Sequence, residues 1–191
     1  PFLKHLKENE IQSFDTSVSN TAAIIPGGIS FRITIKMPKT FTKEQIVALM
    51  REKNLTLAAA ESCTGGMLSS RMIDVAGVSD VYKAGFVTYA NEAKRELLGV
   101  QKKTLKKYGA VSRETAEEMV LGAAERYDAD VSISITGIAG PEGGTEEKPV
   151  GLVYIGCYVC GELEIYECHF TGTREKIRET TTITALNLIR K

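Results

Sequence analysis

The 191-residue sequence has no tryptophan, only four cysteines, five prolines and two histidines, and no surplus of either charge: 24 Lys and Arg face 24 Asp and Glu. The balance of charge argues against a partner held by bulk electrostatics, because nucleic-acid and anionic-membrane binders usually carry a basic excess or patch. Lys102, Lys103, Lys106 and Lys107 form the one basic cluster and read as a solvated helix face. No run approaches the ~20 apolar residues of a membrane span, and no charged start leads into an apolar signal core, so a cytoplasmic location is expected. The few cysteines make no disulfide scaffold. The single C-x-x-C, Cys157 to Cys160, continues a strand-like run from Val150 to Val159, and an odd separation there sends the two sulfurs to opposite faces. With only His5 and His169 in addition, a zinc site lacks ligands, and the sequence points to metal-free chemistry or to none; no cofactor is expected.

What is present is the profile of a globular chain, 43% hydrophobic, long enough for one domain of about 150 residues and an appendage. Residues 1–40 differ from the rest. They hold a polar stretch (Ser13 to Thr21), a Pro26-Gly27-Gly28 turn and an alternating run, Ile29 to Ile35, that reads as one strand. This segment is taken as an N-terminal arm or the remnant of a preceding domain, and residues 41–191 as the domain proper.

From Thr42 the signals become regular. Thr42 and Gln45 have capping-box spacing ahead of a helix to about Lys53. Leu55 to Ala60 reads as a buried strand, followed by Glu61-Ser62-Cys63-Thr64-Gly65-Gly66 and a helix to about Ile73. Val81 to Tyr89 reads as a second strand, and Asn91 as the cap of a helix to about Leu98. Ser112 caps a helix that presents Ala116, Met119, Val120, Ala123 and Tyr127 on one face. Strands follow at Val131 to Thr136, Val150 to Val159 and Leu163 to Phe170. A last helix, Arg174 to Ile189, buries Ile177, Thr181, Ala185 and Leu188. Alternation that ends in a hairpin predicts an α/β fold: a three-layer α/β/α domain with a mixed sheet, preceded by a short N-terminal arm.

Ligands of open α/β sheets gather beyond the carboxyl ends of strands, where three polar or glycine-rich segments fall: Glu61 to Gly66, Tyr89 to Lys94 and Thr136 to Thr145. At the first, the backbone N–H groups of Thr64, Gly65 and Gly66 are placed to meet an anion or a developing oxyanion, although an ordinary helix cap would leave the same trace. In the second, Lys94 is either a solvated helix lysine or, if buried, a base able to activate Ser62. The third is no Walker loop, lacking Gly-Lys-Ser/Thr, and no G-x-G-x-x-G turn. Its nine residues from Gly137 to Thr145, with four glycines and a proline between strands, are more often a functional loop than a spacer. Arg174, a cation in the first turn of a helix, opposes the helix dipole, so either Glu175 compensates or the arginine holds an acidic ligand group. His169 reads as a structural histidine.

Together, Ala60-Glu61-Ser62-Cys63-Thr64-Gly65-Gly66, Gly85-x-x-x-Tyr89-x-Asn91-x-x-Lys94, Gly109-Ala110-Val111-Ser112, Thr136-Gly137-Ile138-Ala139-Gly140-Pro141 with Gly143-Gly144-Thr145, Lys148-Pro149-Val150-Gly151 and Phe170-x-Gly172-x-Arg174 resemble the C-terminal domain family of the competence/damage-inducible protein CinA. Active members of that family are nicotinamide mononucleotide amidases. The resemblance runs in order from about Thr42 to Ile189. It implies metal-independent hydrolysis of nicotinamide mononucleotide to nicotinate mononucleotide and ammonia, with Ser62 as nucleophile, Lys94 as base and Tyr89 assisting. It further implies a substrate site formed by Cys63, Thr64, Gly65, Gly66, Asn91, Thr136, Gly137, Gly140 and Arg174. The implied partner is a small-molecule nucleotide, with no nucleic acid and no membrane, in a homo-oligomer such as a dimer. A non-catalytic nucleotide-binding module of a larger protein, or a thiol amidase using Cys63, are the alternatives.

Overall fold

The computed structural model describes residues 42–189 and two short strands, β1 (Ala23–Ile25) and β2 (Ile33–Thr34). The polar stretch and the Pro26-Gly27-Gly28 turn lie outside the described residues. The strand expected at Ile29 to Ile35 is described only at β2, and β1 is an element the sequence pattern does not announce.

Thr42 caps α1 (Lys43–Glu52) with the expected reciprocal box to Gln45. Then come β3 (Leu57–Glu61), α2 (Met67–Ile73), a short 3₁₀ turn at Val78–Asp80, β4 (Tyr82–Val87) and α3 (Asn91–Leu98). They are followed by α4 (Lys102–Tyr108), α5 (Arg113–Tyr127), β5 (Val131–Gly137), β6 (Leu152–Val159), β7 (Glu162–His169) and α6 (Arg174–Ile189). The four lysines of the basic cluster are exposed on α4, a separate helix that the hydrophobic pattern does not resolve. Among the described residues no helix is long and apolar enough to cross a membrane.

The strands form one mixed sheet in the order β2-β1-β7-β6-β5-β3-β4. β3 is parallel to both β4 and β5, whereas β5, β6 and β7 run antiparallel to one another in turn, and β1 extends the β7 edge antiparallel. Alternation along β3 sorts the two faces. Leu57 and Ala59 join the main core with Ile46, Met72, Ile133 and Ile177, under α1, α2 and α6. Ala58 and Ala60 face α5 and α3 with Leu98, Met119 and Ala123. The fold is therefore the expected three-layer α/β/α domain with a mixed sheet. Each large aliphatic side chain in these layers contributes about 1.5–3 kcal/mol by leaving water.

The layer on the α5 side is held by hydroxyls as well. Ser132 Oγ donates to Val120 O at 2.7 Å and Ser134 Oγ to Ala116 O at 2.6 Å, so alternate serines of β5 satisfy themselves on carbonyls of the covering helix. Ser112 caps α5 as predicted, accepting from the Thr115 N–H. Three local expectations fail. Asn91 is the first residue of α3 rather than its cap; Ala90 holds the cap position, and Asn91 is exposed. Tyr127, expected on the buried face of α5, is 55% exposed because that helix ends at Asp128, which turns the chain at φ 47° beyond the covered sheet. Cys160 likewise leaves β6 and occupies the exposed hairpin turn at φ 47°, while Cys157 stays buried, so the two sulfurs are separated by a turn rather than by strand alternation.

Candidate active site

The chain reverses lateral direction at β3: β4 is added on one side and β5 on the other, which opens a crevice beyond their carboxyl ends. Two hydrogen bonds align the segments leaving those ends. The Ser62 N–H donates to Ile135 O at 2.9 Å, and the Thr88 N–H donates to Glu61 O at 2.8 Å. Ser62, Thr88 with Tyr89, and Thr136 with Gly137 are thus brought together by strand register.

Glu61 explains the shape of the turn that carries Ser62. Its fully buried carboxylate accepts from the Gly66 N–H at 3.1 Å, the Leu68 N–H at 3.1 Å, the Ser69 N–H at 2.8 Å and the Ser69 hydroxyl at 2.6 Å. A carboxylate at this end of α2 satisfies the helix's orphan donors and suits its dipole. The last residue of the strand therefore caps the helix, and Ser62 is left free of that task. Gly65 (φ 61°) and Gly66 (φ 92°) supply the left-handed conformations that bring the chain back within reach of Glu61. This corrects the expectation for the turn's donors: the Gly65 N–H is spent on Ser62 O and the Gly66 N–H on Glu61, leaving only the Thr64 N–H of those three without an acceptor among the described residues.

Ser62 meets Lys94. The lysine side chain, reaching in from α3, is fully buried, and its Nζ lies 3.1 Å from Ser62 Oγ, 2.7 Å from Thr88 O and 3.3 Å from Tyr89 O. None of the four ion pairs among the described residues includes it. Burial without a carboxylate disfavours the ammonium, and the Lys94 pKa falls to about 8. Adjacent Cys63 goes the other way: its side chain packs into the main core, and burial pushes the thiol up to about 11. Ser62 is 8% exposed, so it retains a narrow opening to solvent.

The remaining expected residues frame this pair in different ways. Arg174, exposed at the start of α6, donates from Nη1 to Gly140 O at 2.8 Å and from Nη2 to Tyr89 Oη at 3.3 Å, joining the glycine-rich loop to the segment after β4. Tyr89 is 64% exposed, and its hydroxyl meets Arg174 rather than Ser62. Thr136 is buried, and its hydroxyl is committed to Ala110 O at 2.6 Å. Lys148 Nζ holds Tyr108 O and Val111 O at 2.6 and 2.7 Å, so three of the quoted motifs act together as the mount of the loop that follows Gly137. Asn91 is exposed, and its side chain does not cap α3. His169 closes β7, bonded through Nε2 to Glu167 at 2.9 Å; three strand spacings from β3, about 14 Å, keep it from Ser62.

Sequence reasoning overlooked Arg178. Its Nε donates to Cys63 O at 3.0 Å and its Nη2 to Thr64 O at 2.8 Å, gripping the turn directly after Ser62. The available signal was its position four residues after Arg174, which puts both guanidiniums on one face of α6.

A three-layer α/β/α domain with a serine–lysine pair at the switch point of its sheet is the class so defined. The family model of the CinA C-terminal domain matches residues 39–191, and the chain belongs to that family. It is 56% identical over 149 residues to a Clostridium beijerinckii protein named as competence-damage inducible, covering 78% of this chain and 36% of the relative. Over the same length it is 51% identical to a CinA-like protein of Kosmotoga olearia, again 78% of this chain and 36% of the relative. The chain thus spans little more than a third of the length of the curated relatives it matches. Among solved structures, the competence/damage-inducible protein CihA from Agrobacterium tumefaciens superposes with a TM-score of 0.76 at 41% identity, covering 78% of this chain and 94% of that one. A CinA superfamily protein from Escherichia coli gives 0.75 at 38% identity, covering 82% and 93%.

Proposed function

We propose that this domain is an amidohydrolase that converts nicotinamide mononucleotide to nicotinate mononucleotide and ammonia by a serine–lysine mechanism that uses no metal, a reaction of pyridine nucleotide salvage. The observation that carries the reading is the buried Lys94 amine, 3.1 Å from Ser62 Oγ and in no ion pair among the described residues. A neutral amine has two N–H groups and one lone pair. Thr88 O and Tyr89 O accept the two hydrogens, which turns the lone pair toward the Ser62 hydroxyl.

A carboxamide is a poor electrophile, so the site must activate the nucleophile, stabilise the oxyanion and protonate the departing nitrogen. Lys94 takes the Ser62 proton as Oγ bonds to the carboxamide carbon, and the carbonyl oxygen becomes an oxyanion. The Thr64 N–H is the free donor of the turn for that charge. When the carbon–nitrogen bond breaks, the Lys94 ammonium gives its proton to the leaving group, and ammonia departs. An ester on Ser62 remains. Water, deprotonated by the now neutral Lys94, attacks this ester; that proton passes to Ser62 Oγ as the ester bond breaks, and the acid formed gives its own proton to solvent and leaves as the nicotinate carboxylate. The substrate's pyridinium charge favours the neutral amine further, because a nearby cation lowers a lysine pKa. Arg174 is the group assigned to the 5′-phosphate, held in place by Gly140 O and Tyr89 Oη with guanidinium donors to spare.

The test is incubation of the purified protein with nicotinamide mononucleotide and measurement of ammonia and nicotinate mononucleotide. Both products are expected, at rates unchanged by EDTA. Tight binding of the nucleotide without turnover would support the non-catalytic module instead, and activity lost to EDTA and restored by a divalent ion would contradict the mechanism.

A further inference from the structure

The established contacts of Arg178 are unusual for an arginine. It is partly buried, forms no ion pair among the described residues, and commits its fork to two successive backbone carbonyls, Cys63 O and Thr64 O. Its Nη2 also lies 3.4 Å from where a Cβ on Gly65 would stand, so the guanidinium runs along the whole turn.

This grip sets the direction of a peptide plane. The one cis peptide among the described residues is Gly140-Pro141, so the Cys63–Thr64 unit is trans, and its carbonyl and N–H point in opposite directions. With Cys63 O held toward Arg178 on α6, the Thr64 N–H is turned away from α6. The α6 layer covers one face of the sheet, and α3, which delivers Lys94 to Ser62, belongs to the other. The N–H that has no acceptor among the described residues is therefore turned off the α6 side, and Lys94 approaches the serine from the opposite face. A cation on the carbonyl also polarises the peptide and makes its N–H a stronger donor.

We propose that Arg178 is a positioning residue that orients and polarises the Thr64 N–H as the donor to the transition-state oxyanion. The inference rests on the amidase reading for its substrate, and on the geometry of the turn for everything else. Among the described residues Arg178 makes no hydrogen bond to Ser62 or Lys94, so the effect assigned to it runs through the peptide.

The experiment compares wild type, Arg178→Ala and Arg178→Lys by kcat and KM for nicotinamide mononucleotide, by the pH midpoint of kcat/KM, and by the rate at which a fluorophosphonate labels Ser62. Loss of a direct oxyanion donor costs about 10²–10³ in kcat, and loss of the group that orients it is expected to cost about 10- to 100-fold. KM should change by less than about threefold and the pH midpoint should stay, because Lys94 keeps its partners. Labelling, which also builds negative charge on an oxygen at the serine, should slow in parallel. Guanidinium ion at millimolar concentration should restore part of the Arg178→Ala rate, and Arg178→Lys, able to hold one carbonyl, should fall between the two. A folded Arg178→Ala with unchanged kcat, or a loss that appears equally in KM and moves the pH midpoint, would overturn the proposal. If Arg178→Ala does not fold, an unchanged kcat in Arg178→Lys overturns it. If wild type labels at Ser62 with the same dependence on Arg178 but does not turn over the nucleotide, the substrate assignment fails and the positioning role stands.

Discussion

The Lys94 amine and the Ser62 hydroxyl, 32 residues apart in sequence, lie 3.1 Å apart in space, and no carboxylate among the described residues pairs with the amine. A buried lysine normally finds an acid or gives up its proton. Here two carbonyls fill the requirement of a neutral amine, and the hydroxyl completes it. Glu61 could have been the counter-ion, but its carboxylate is spent on the first turn of α2.

Ser62→Ala should reduce turnover of nicotinamide mononucleotide by several orders of magnitude while leaving its binding, measured by calorimetry, largely intact. Cys63→Ala should keep most of the activity, because that thiol is buried in the core and raised to about 11. The opposite pattern would move the nucleophile to sulfur.

If Arg174 holds the 5′-phosphate, nicotinamide riboside should show a kcat/KM lower than that of the nucleotide by about 10- to 100-fold, the worth of one or two charge-assisted hydrogen bonds. Arg174→Gln should penalise the nucleotide and spare the riboside. Equal kcat/KM for both compounds in wild type would remove the phosphate from this part of the site.

Burial of Lys94 should also be visible in stability. Its folded pKa of about 8 lies below the ordinary 10.5, so between these values the unfolded chain binds more protons than the folded one. The penalty is complete below about pH 8 and vanishes above the unfolded value. Relative to Lys94→Met, wild type should therefore gain about 3 kcal/mol in unfolding free energy from pH 7 to pH 11, as measured by urea denaturation. A difference that does not change with pH would mean that the lysine keeps its proton in the fold.

Much of this arrangement is written locally. The Thr42–Gln45 box, the Ser112 cap, the short apolar run of β3 and the β-branched run of β5 each declare their element through local pattern, and the three segments beyond the strand ends follow from strand order. The roles of Glu61 and Arg178 are not local. Glu61 reads as part of a polar loop until β3 is extended by one residue to include it, and Arg178 reads as a helix-surface cation until α6 is packed beside α2. Asn91 misleads for the converse reason: a good capping residue sits one position too late, after Ala90 O has already accepted the Lys94 N–H that starts α3. The partners of such residues lie across the sequence, where periodicity carries no information.

The central claim is that neutral Lys94 is the base for Ser62, and the pH dependence of kcat/KM for nicotinamide mononucleotide tests it most directly. In wild type the value should rise with pH through a single ionisation near 8, as the amine loses its proton, and then level off. Lys94→Arg keeps a cation that does not deprotonate, and should lose on the order of 10²-fold or more in kcat together with that rise. A flat wild-type profile, or an arginine variant of near-normal activity, would contradict the account.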